Sequence, residues 1–376
     1  MFNIRNIAKL DKSTLFVVLC LASAGTFVIY RATADTHLKG LHLYNIYLFI
    51  AFCIPMLCLA LLDYRVLLGK MSYVLYGIGI VMLLLVKIAG ENINGAARWL
   101  SIGGFQLQPS ELAKISSILL IAHLLGKRNG QKLRLYQDVL PICGVFLIPF
   151  VLIMKQPDLG TSLVFLGILL SMLWIGNIRS LYMLVFIGVV ILAIGTILWL
   201  YYANFELLSK IVQPHQLARI QTFLDPASDP DKSWHVKNAM KAIGSGGLDG
   251  SDGSYVRRGF IPYVYSDSIY VVIGEEFGFI GSAALLLLYM LLVYRMVHIA
   301  MESRDYAGSY LVAGFIGMLV FQVSVNIGMH IGILPLTGIS LPFISYGGSS
   351  LLTNMIAIGL ILSVHAHKDE KDIMNV

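Results

Sequence analysis

Charge is what this 376-residue chain has least of. Asp, Glu, Lys and Arg together make up 13% of it, against roughly 25% in a soluble domain. Hydrophobic residues make up 57%, and the mean hydropathy is +0.79. So few polar side chains cannot cover a soluble body of this size, and so much apolar content excludes a disordered chain. Cysteine is scarce too. The four residues, Cys20, Cys53, Cys58 and Cys143, lie inside apolar runs with no CxxC or Cys/His spacing. That excludes a disulfide framework and leaves them as packing residues. The basic excess is small, 27 Lys+Arg against 21 Asp+Glu, and such an excess in an apolar chain marks loops rather than nucleic-acid binding. The apolar runs are continuous instead of alternating, so a membrane β-barrel is excluded as well.

What is present is a series of apolar runs near the roughly 20 residues that a bilayer-crossing helix needs. Ten occur, at about 14–30, 41–62, 72–89, 111–126, 139–154, 161–176, 182–203, 268–294, 306–328 and 344–364. The expectation is an all-α polytopic membrane protein of about ten transmembrane helices, one domain over 1–376, with one long outward-facing loop at 204–267. Lys and Arg set the orientation. With a cytoplasmic N-terminus, fourteen fall in inside segments: Arg5, Lys9, Lys12, Arg65, Lys70, Lys127, Arg128, Lys132, Arg134, Arg179, Arg295, Arg304, Lys368 and Lys371. Four fall in short outer loops, Arg31, Lys39, Arg98 and Lys155. Both termini are therefore expected in the cytoplasm, the N-terminus as a short tail before a retained first span.

The residues that could carry chemistry gather at the outer face. Asn94–Trp99 is followed by Gln108–Lys114, where Ser110 reads as an N-cap and Glu111 and Lys114 share one helix face. They form either a structural ion pair or, with Arg98, a phosphate site. Lys155–Ser162 is a tight turn in which Asp158 is suited to cap the next helix. The long loop holds Arg219, then Leu224–Pro226 and Ser228–Pro230, then a Gly-rich stretch at Gly244–Gly247. That stretch lacks the Gly-Lys-Ser/Thr ending of a phosphate-cradling loop. Ser266 and Asp267 stand at the mouth of the eighth run, with Glu275 and Glu276 further in. Asp267 is either an N-cap or a general base on a sugar hydroxyl. Finally, Asn326–Met329, Gly332–Gly338 and Leu341–Ser350 suggest a turn packed within protein beside a span.

In this order the motifs resemble the SEDS family (shape, elongation, division and sporulation proteins), from first span to last, and its elongation branch more than its division branch. Gln156–Leu163, Leu224–Pro226 with Ser228–Pro230, and Gly332–Pro335 through Tyr346–Ser350 carry the likeness. The resemblance implies a peptidoglycan glycosyltransferase that polymerises lipid II at the outer face of the bacterial cytoplasmic membrane, for elongation and rod shape. It implies a class B penicillin-binding protein as partner. The family's essential aspartate, in a Pro-Glu-x-His-Thr-Asp-Phe pattern, falls on Asp267. Here the pattern reads Pro262-Tyr263-Val264-Tyr265-Ser266-Asp267-Ser268, so Glu, His and Phe are replaced.

The expected catalytic group is Asp267 with Glu111 orienting Lys114. Arg98, Arg219, Asp158, Gln156 and Ser349 are the expected substrate-binding residues. A divalent cation, Mg or Mn, at the pyrophosphate is a further expectation. Two other readings are a lipid II flippase, which would need polar residues across the bilayer, and a non-catalytic scaffold for a penicillin-binding protein.

Overall fold

The computed structural model describes residues 4–93, 96–226 and 230–368. Asn94, Gly95, Ser228, Asp229 and Lys371, named above, lie outside the described residues. In chain order the helices before the first strands are α1 (Lys12–Thr33), α2 (Leu41–Leu61), α3 (Tyr64–Leu67) and α4 (Gly69–Ala89). Strands β1 (Glu91–Ile93), β2 (Ala96–Ile102) and β3 (Phe105–Leu107) follow, then α5 (Pro109–Gly126), α6 (Leu140–Met154), α7 (Leu159–Ile175) and α8 (Ser180–Ala203). The long segment after α8 contains α9 (Phe205–Ile211), α10 (Pro214–Leu224), α11 (Pro230–Ser245) and α12 (Ser254–Arg257). The chain ends with α13 (Ile269–Glu276), α14 (Gly278–Glu302), α15 (Tyr306–His330) and α16 (Gly348–Ala366).

Every one of the ten apolar runs falls on a helix. Among the described residues eight helices are long and apolar enough to cross a bilayer, α6 being counted with the π-helical turn Leu135–Val139 that leads into it. Of the other two, α7 has 17 residues, and α5 has 18 and includes Glu111 and Lys114. The interior belongs to α15 and α16, whose most apolar windows are 72% and 78% buried, whereas the corresponding window of α8 is 11% buried. By the same logic α8 depends on lipid for its solvation.

The fold is helical as expected, with one small addition: β1, β2 and β3 form an antiparallel meander with Glu91 opposite Trp99 and Leu100 opposite Leu107. One expectation needs correction. Ser110 does not cap α5; Gln108 holds that position without a side-chain bond, and Pro109 starts the helix, where its missing N–H costs nothing. The long segment 204–267 carries four helices of its own, α9 to α12. Asp158, by contrast, does cap α7, accepting from the Thr161 amide at 3.1 Å and the Thr161 hydroxyl at 3.0 Å.

The eighth run is broken, and the break explains the Gly-rich stretch. Between α13 and α14 the chain turns through Phe277 and Gly278, the latter at φ +59°. Backbone polar groups freed at a break inside a bilayer must find partners in protein. The Gly-rich segment supplies them: Phe279 and Ile280 donate to the carbonyls of Gly247 and Leu248 at 2.9 and 3.1 Å, and Ser251 donates to Glu275 O at 2.7 Å. Such contact requires backbone against backbone. A Cβ on Gly250, at φ +99°, would sit 2.1 Å from Glu276 O. The carboxylates that follow are partnered too. Glu275 accepts from the amides of Tyr255 and Val256 at 2.7 and 3.1 Å, and Glu276 pairs with Arg31 of α1 at 2.7 Å.

Within α5, Lys114 is fully buried and lies 2.8 Å from Glu111, also buried. Removing one partner of such a pair strands a charge, at a cost of about 3–5 kcal/mol, whereas replacing both by apolar residues of like volume is often neutral. Glu111→Leu and Lys114→Met are each expected to lower the thermal unfolding midpoint in detergent, and the double variant to recover most of the loss. For the helix break, Gly250→Ala is expected to cost about 1–3 kcal/mol through overpacking and left-handed strain. Gly188→Ala on α8, where nothing lies within 4 Å, is the control and should leave the same midpoint unchanged or raised.

Candidate functional site

Asp267 lies in the turn that leads into α13, and three backbone-directed bonds fix that turn. The Tyr346 amide donates to Tyr265 O at 2.8 Å, and the Ser345 hydroxyl donates to Ser266 O at 2.7 Å. The side-chain amide of Asn326, on α15, donates to Asp267 O at 2.8 Å and to Ile339 O at 2.7 Å. The turn is thereby sewn to the non-helical segment between α15 and α16, which was read from sequence as a turn packed within protein. Both segments hold a bulky residue in left-handed backbone, Tyr263 at φ 52° and Phe343 at φ 64°. Each costs about 1–3 kcal/mol and persists only where surrounding contacts dictate it.

Asp267 does not cap α13, whose N-cap is Ser268 with no side-chain bond. The carboxyl is left for other work. Its Oδ1 is buried and has no hydrogen-bond partner. Burial raises its pKa to about 6, with its own backbone amide, Arg219 and the Ser268 amide pulling in the opposite direction. A carboxyl whose charge is held back by desolvation is poised to take a proton near neutral pH.

Two adjoining cavities meet at this carboxyl. The smaller, about 510 Å³, is lined by Phe223, His235, Ile261, Ser268, His330 and Leu334 among others. The larger, about 750 Å³, is lined by Tyr44, Arg98, Trp99, Phe105, Tyr265 and Tyr346 among others. Arg219, Tyr263, Asp267 and Gly338 line both. The larger cavity is walled with aromatics: Tyr346 contacts Tyr44 and Tyr265 with ring centroids 6.4 and 6.1 Å apart.

The cations arrive from separate elements. Arg219, half-buried on α10, donates to Thr337 O at 2.8 Å. Burial and the nearby Arg98 lower its pKa from an arginine's ordinary value. Arg98, on β2, donates from Nε to Gln156 O at 3.1 Å and from Nη2 to Pro157 O, with Nη1 3.9 Å from Asp158 Oδ1. The three strands thus serve to carry one guanidinium to the cavity wall.

The other predicted residues lie behind this surface. Gln156 donates to Leu83 O at 2.7 Å. Asp158, besides capping α7, accepts from the Gln108 side chain at 3.0 Å. Ser349 donates to Gln106 O at 2.7 Å and accepts from the Gln108 amide at 2.9 Å. All three brace the loops that present Arg98 and β3, and none lines a cavity. Glu111 and Lys114, expected beside Asp267, line neither cavity and pair inside α5. The structure brings together Asp267, Arg219 and Arg98. It also places the three replaced pattern residues at the site: Tyr263 faces both cavities, Tyr265 the larger and Ser268 the smaller.

Sequence reasoning assigned no role to Asn326 or His330. Asn326 had a signal, a buried-polar type inside an apolar run, but its partners are carbonyls 59 and 13 residues away. His330 had only its position at the end of such a run.

The chain is similar to known proteins over nearly its whole length. The sequence profile of the FtsW/RodA/SpoVE cell cycle proteins matches residues 11–370. Peptidoglycan glycosyltransferase MrdB of Escherichia coli (strain K12) is 34% identical over 365 residues, which is 96% of this chain and 94% of MrdB. Peptidoglycan glycosyltransferase RodA of Treponema pallidum (strain Nichols) is 31% identical over 435 residues, 97% of this chain and 99% of RodA. A solved chain from a peptidoglycan synthase complex that coordinates polymerization and crosslinking superposes with a TM-score of 0.79 at 30% identity, covering 96% of this chain and 99% of that one. The motif order, the helices that carry the motifs and these likenesses coincide, and the chain belongs to the FtsW/RodA/SpoVE family, the SEDS proteins.

Proposed function

We propose that this protein is a peptidoglycan glycosyltransferase that polymerises lipid II at the outer face of the bacterial cytoplasmic membrane, serving elongation and rod shape. The observation that carries the reading is Asp267, a carboxyl with a buried, unpartnered oxygen at the junction of two cavities, with Arg219 beside it and Arg98 on the wall of the larger one. Its relatives named as peptidoglycan glycosyltransferases support the same chemistry. The basic residues between spans support cytoplasmic termini, which puts 204–267 and both cavities on the outer side. A class B penicillin-binding protein is the proposed partner, in keeping with the synthase complex whose chain this one resembles.

In the reaction, Asp267 takes the proton of the acceptor's GlcNAc 4-hydroxyl. The oxygen attacks the anomeric carbon of the donor strand's MurNAc, and the bond from that carbon to pyrophosphate breaks. The electron pair leaves with undecaprenyl pyrophosphate, and inversion gives a β-1,4 link. The leaving group carries its own negative charge, so it needs cations more than an acid. Arg98 and Arg219 meet in the larger cavity, which suits it to the pyrophosphate, and its aromatic wall suits the first part of a lipid chain. Lys114, paired within α5, is not needed there.

The donor set does not build a resident site for Mg2+ or Mn2+. Among the described residues Asp267 is the one carboxylate lining either cavity, it sits beside Arg219, and no three His, Cys, Asp or Glu side chains gather.

Asp267→Asn should lower lipid II polymerisation by purified protein about 10²–10⁴-fold while leaving the thermal midpoint at neutral pH unchanged or higher, because a desolvated charge is removed. Normal polymerisation by that variant would sink the reading. The base works only when ionised, so the wild-type rate should rise with pH through about 6 and level off above it. Arg219→Ala, which touches both cavities, should depress the rate more than Arg98→Ala, and a gel-resolved glycan assay on both variants checks this.

A further inference from the structure

His330 is buried, with 1% of its surface accessible, at the C-terminal end of α15. Its Nδ1 lies 2.8 Å from Asn326 O. A carbonyl oxygen can only accept, so Nδ1 holds the proton and Nε2 is left as a bare acceptor. Nδ1 is anchored on its own helix, so the ring edge bearing Nε2 faces away from it. Nε2 is buried and meets no donor in the protein. A buried acceptor without a partner costs about 1–3 kcal/mol, which an apolar residue of similar size would avoid. The ring lines the smaller cavity with Asp267, Ser268 and Arg219.

We infer that His330 binds the saccharide that presents the attacking hydroxyl, accepting a hydrogen bond at Nε2 from a sugar O–H or an acetamido N–H. This rests on the glycosyltransferase reading given above. The chemistry selects sugar over phosphate. A neutral imidazole that offers only a lone pair repels anionic oxygens, and Arg98 lines the other cavity. The donor's pyrophosphate therefore belongs to the larger cavity and the acceptor's saccharide to the smaller. His330 is an acceptor-binding residue, one that sets which sugar end is held against Asp267.

The test uses full-length protein in detergent or nanodiscs, with lipid II as the probe. His330→Gln keeps an acceptor atom and His330→Leu removes it at similar volume. Polymerisation is followed against lipid II concentration, and binding of lipid II is measured directly by thermophoresis. His330→Leu should raise the half-saturating concentration and weaken binding about tenfold, the equivalent of one lost hydrogen bond, with kcat within about threefold of wild type. His330→Gln should restore most of both. Equal behaviour of His330→Leu and wild type overturns the inference, as does equal impairment of both variants, which would mark a packing role. If the wild type binds lipid II without polymerising it, the glycosyltransferase reading fails, while the binding comparison still decides whether His330 holds the sugar.

Discussion

One side-chain amide holds the site together. Asn326 donates to Asp267 O and to Ile339 O, tying the turn before α13 to the segment between α15 and α16. Neither stretch is helical, so neither can satisfy its own backbone at this depth. Each needs the other and the interior helix between them. The left-handed Tyr263 and Phe343 show how far the backbone is bent to make the join. Because the carboxyl's environment, and so its proton affinity, follows from that join, the chemistry of Asp267 rests on α15.

Charge in this protein is placed where a partner waits for it. Glu275 meets two backbone amides, Glu276 meets Arg31, Glu111 meets Lys114, and Asp158 meets Thr161 and Gln108. These bonds satisfy helix ends and breaks, which hydrocarbon cannot do. Against that background the buried Oδ1 of Asp267 and Nε2 of His330 stand out, since both lack a partner and both residues line the smaller cavity.

The helices were legible in the sequence because a bilayer imposes length and continuity on apolar runs. Their interruptions were less so. The break at Gly278 is invisible to hydropathy, since Phe277 and Ile280 continue the apolar pattern. It becomes sensible only once the Gly-rich stretch, thirty residues earlier, is seen to fill it. The β-meander was missed for the same reason: three short strands carry too little periodicity to register. At the site, Asp267, Arg219 and Arg98 could be picked from residue type and motif order. Glu111 and Lys114 could not be separated from them, because spacing of three along a helix reports a shared face and not what that face looks onto. Asn326 and His330 act through carbonyls and a cavity that only the folded chain supplies.

The two cavities share a single carboxylate, and that has a consequence for kinetic order. With Asp267 as the base, as proposed, and one substrate in each compartment, no bond can form until both are filled. Starting a strand therefore requires two lipid-linked precursors to meet on one enzyme, and initiation is second order in their density in the membrane. Once a strand occupies one side, each addition needs only one newcomer and becomes first order. Scarce precursor would then lengthen existing strands in preference to founding new ones, so that the number of strands, more than their growth, reports the supply.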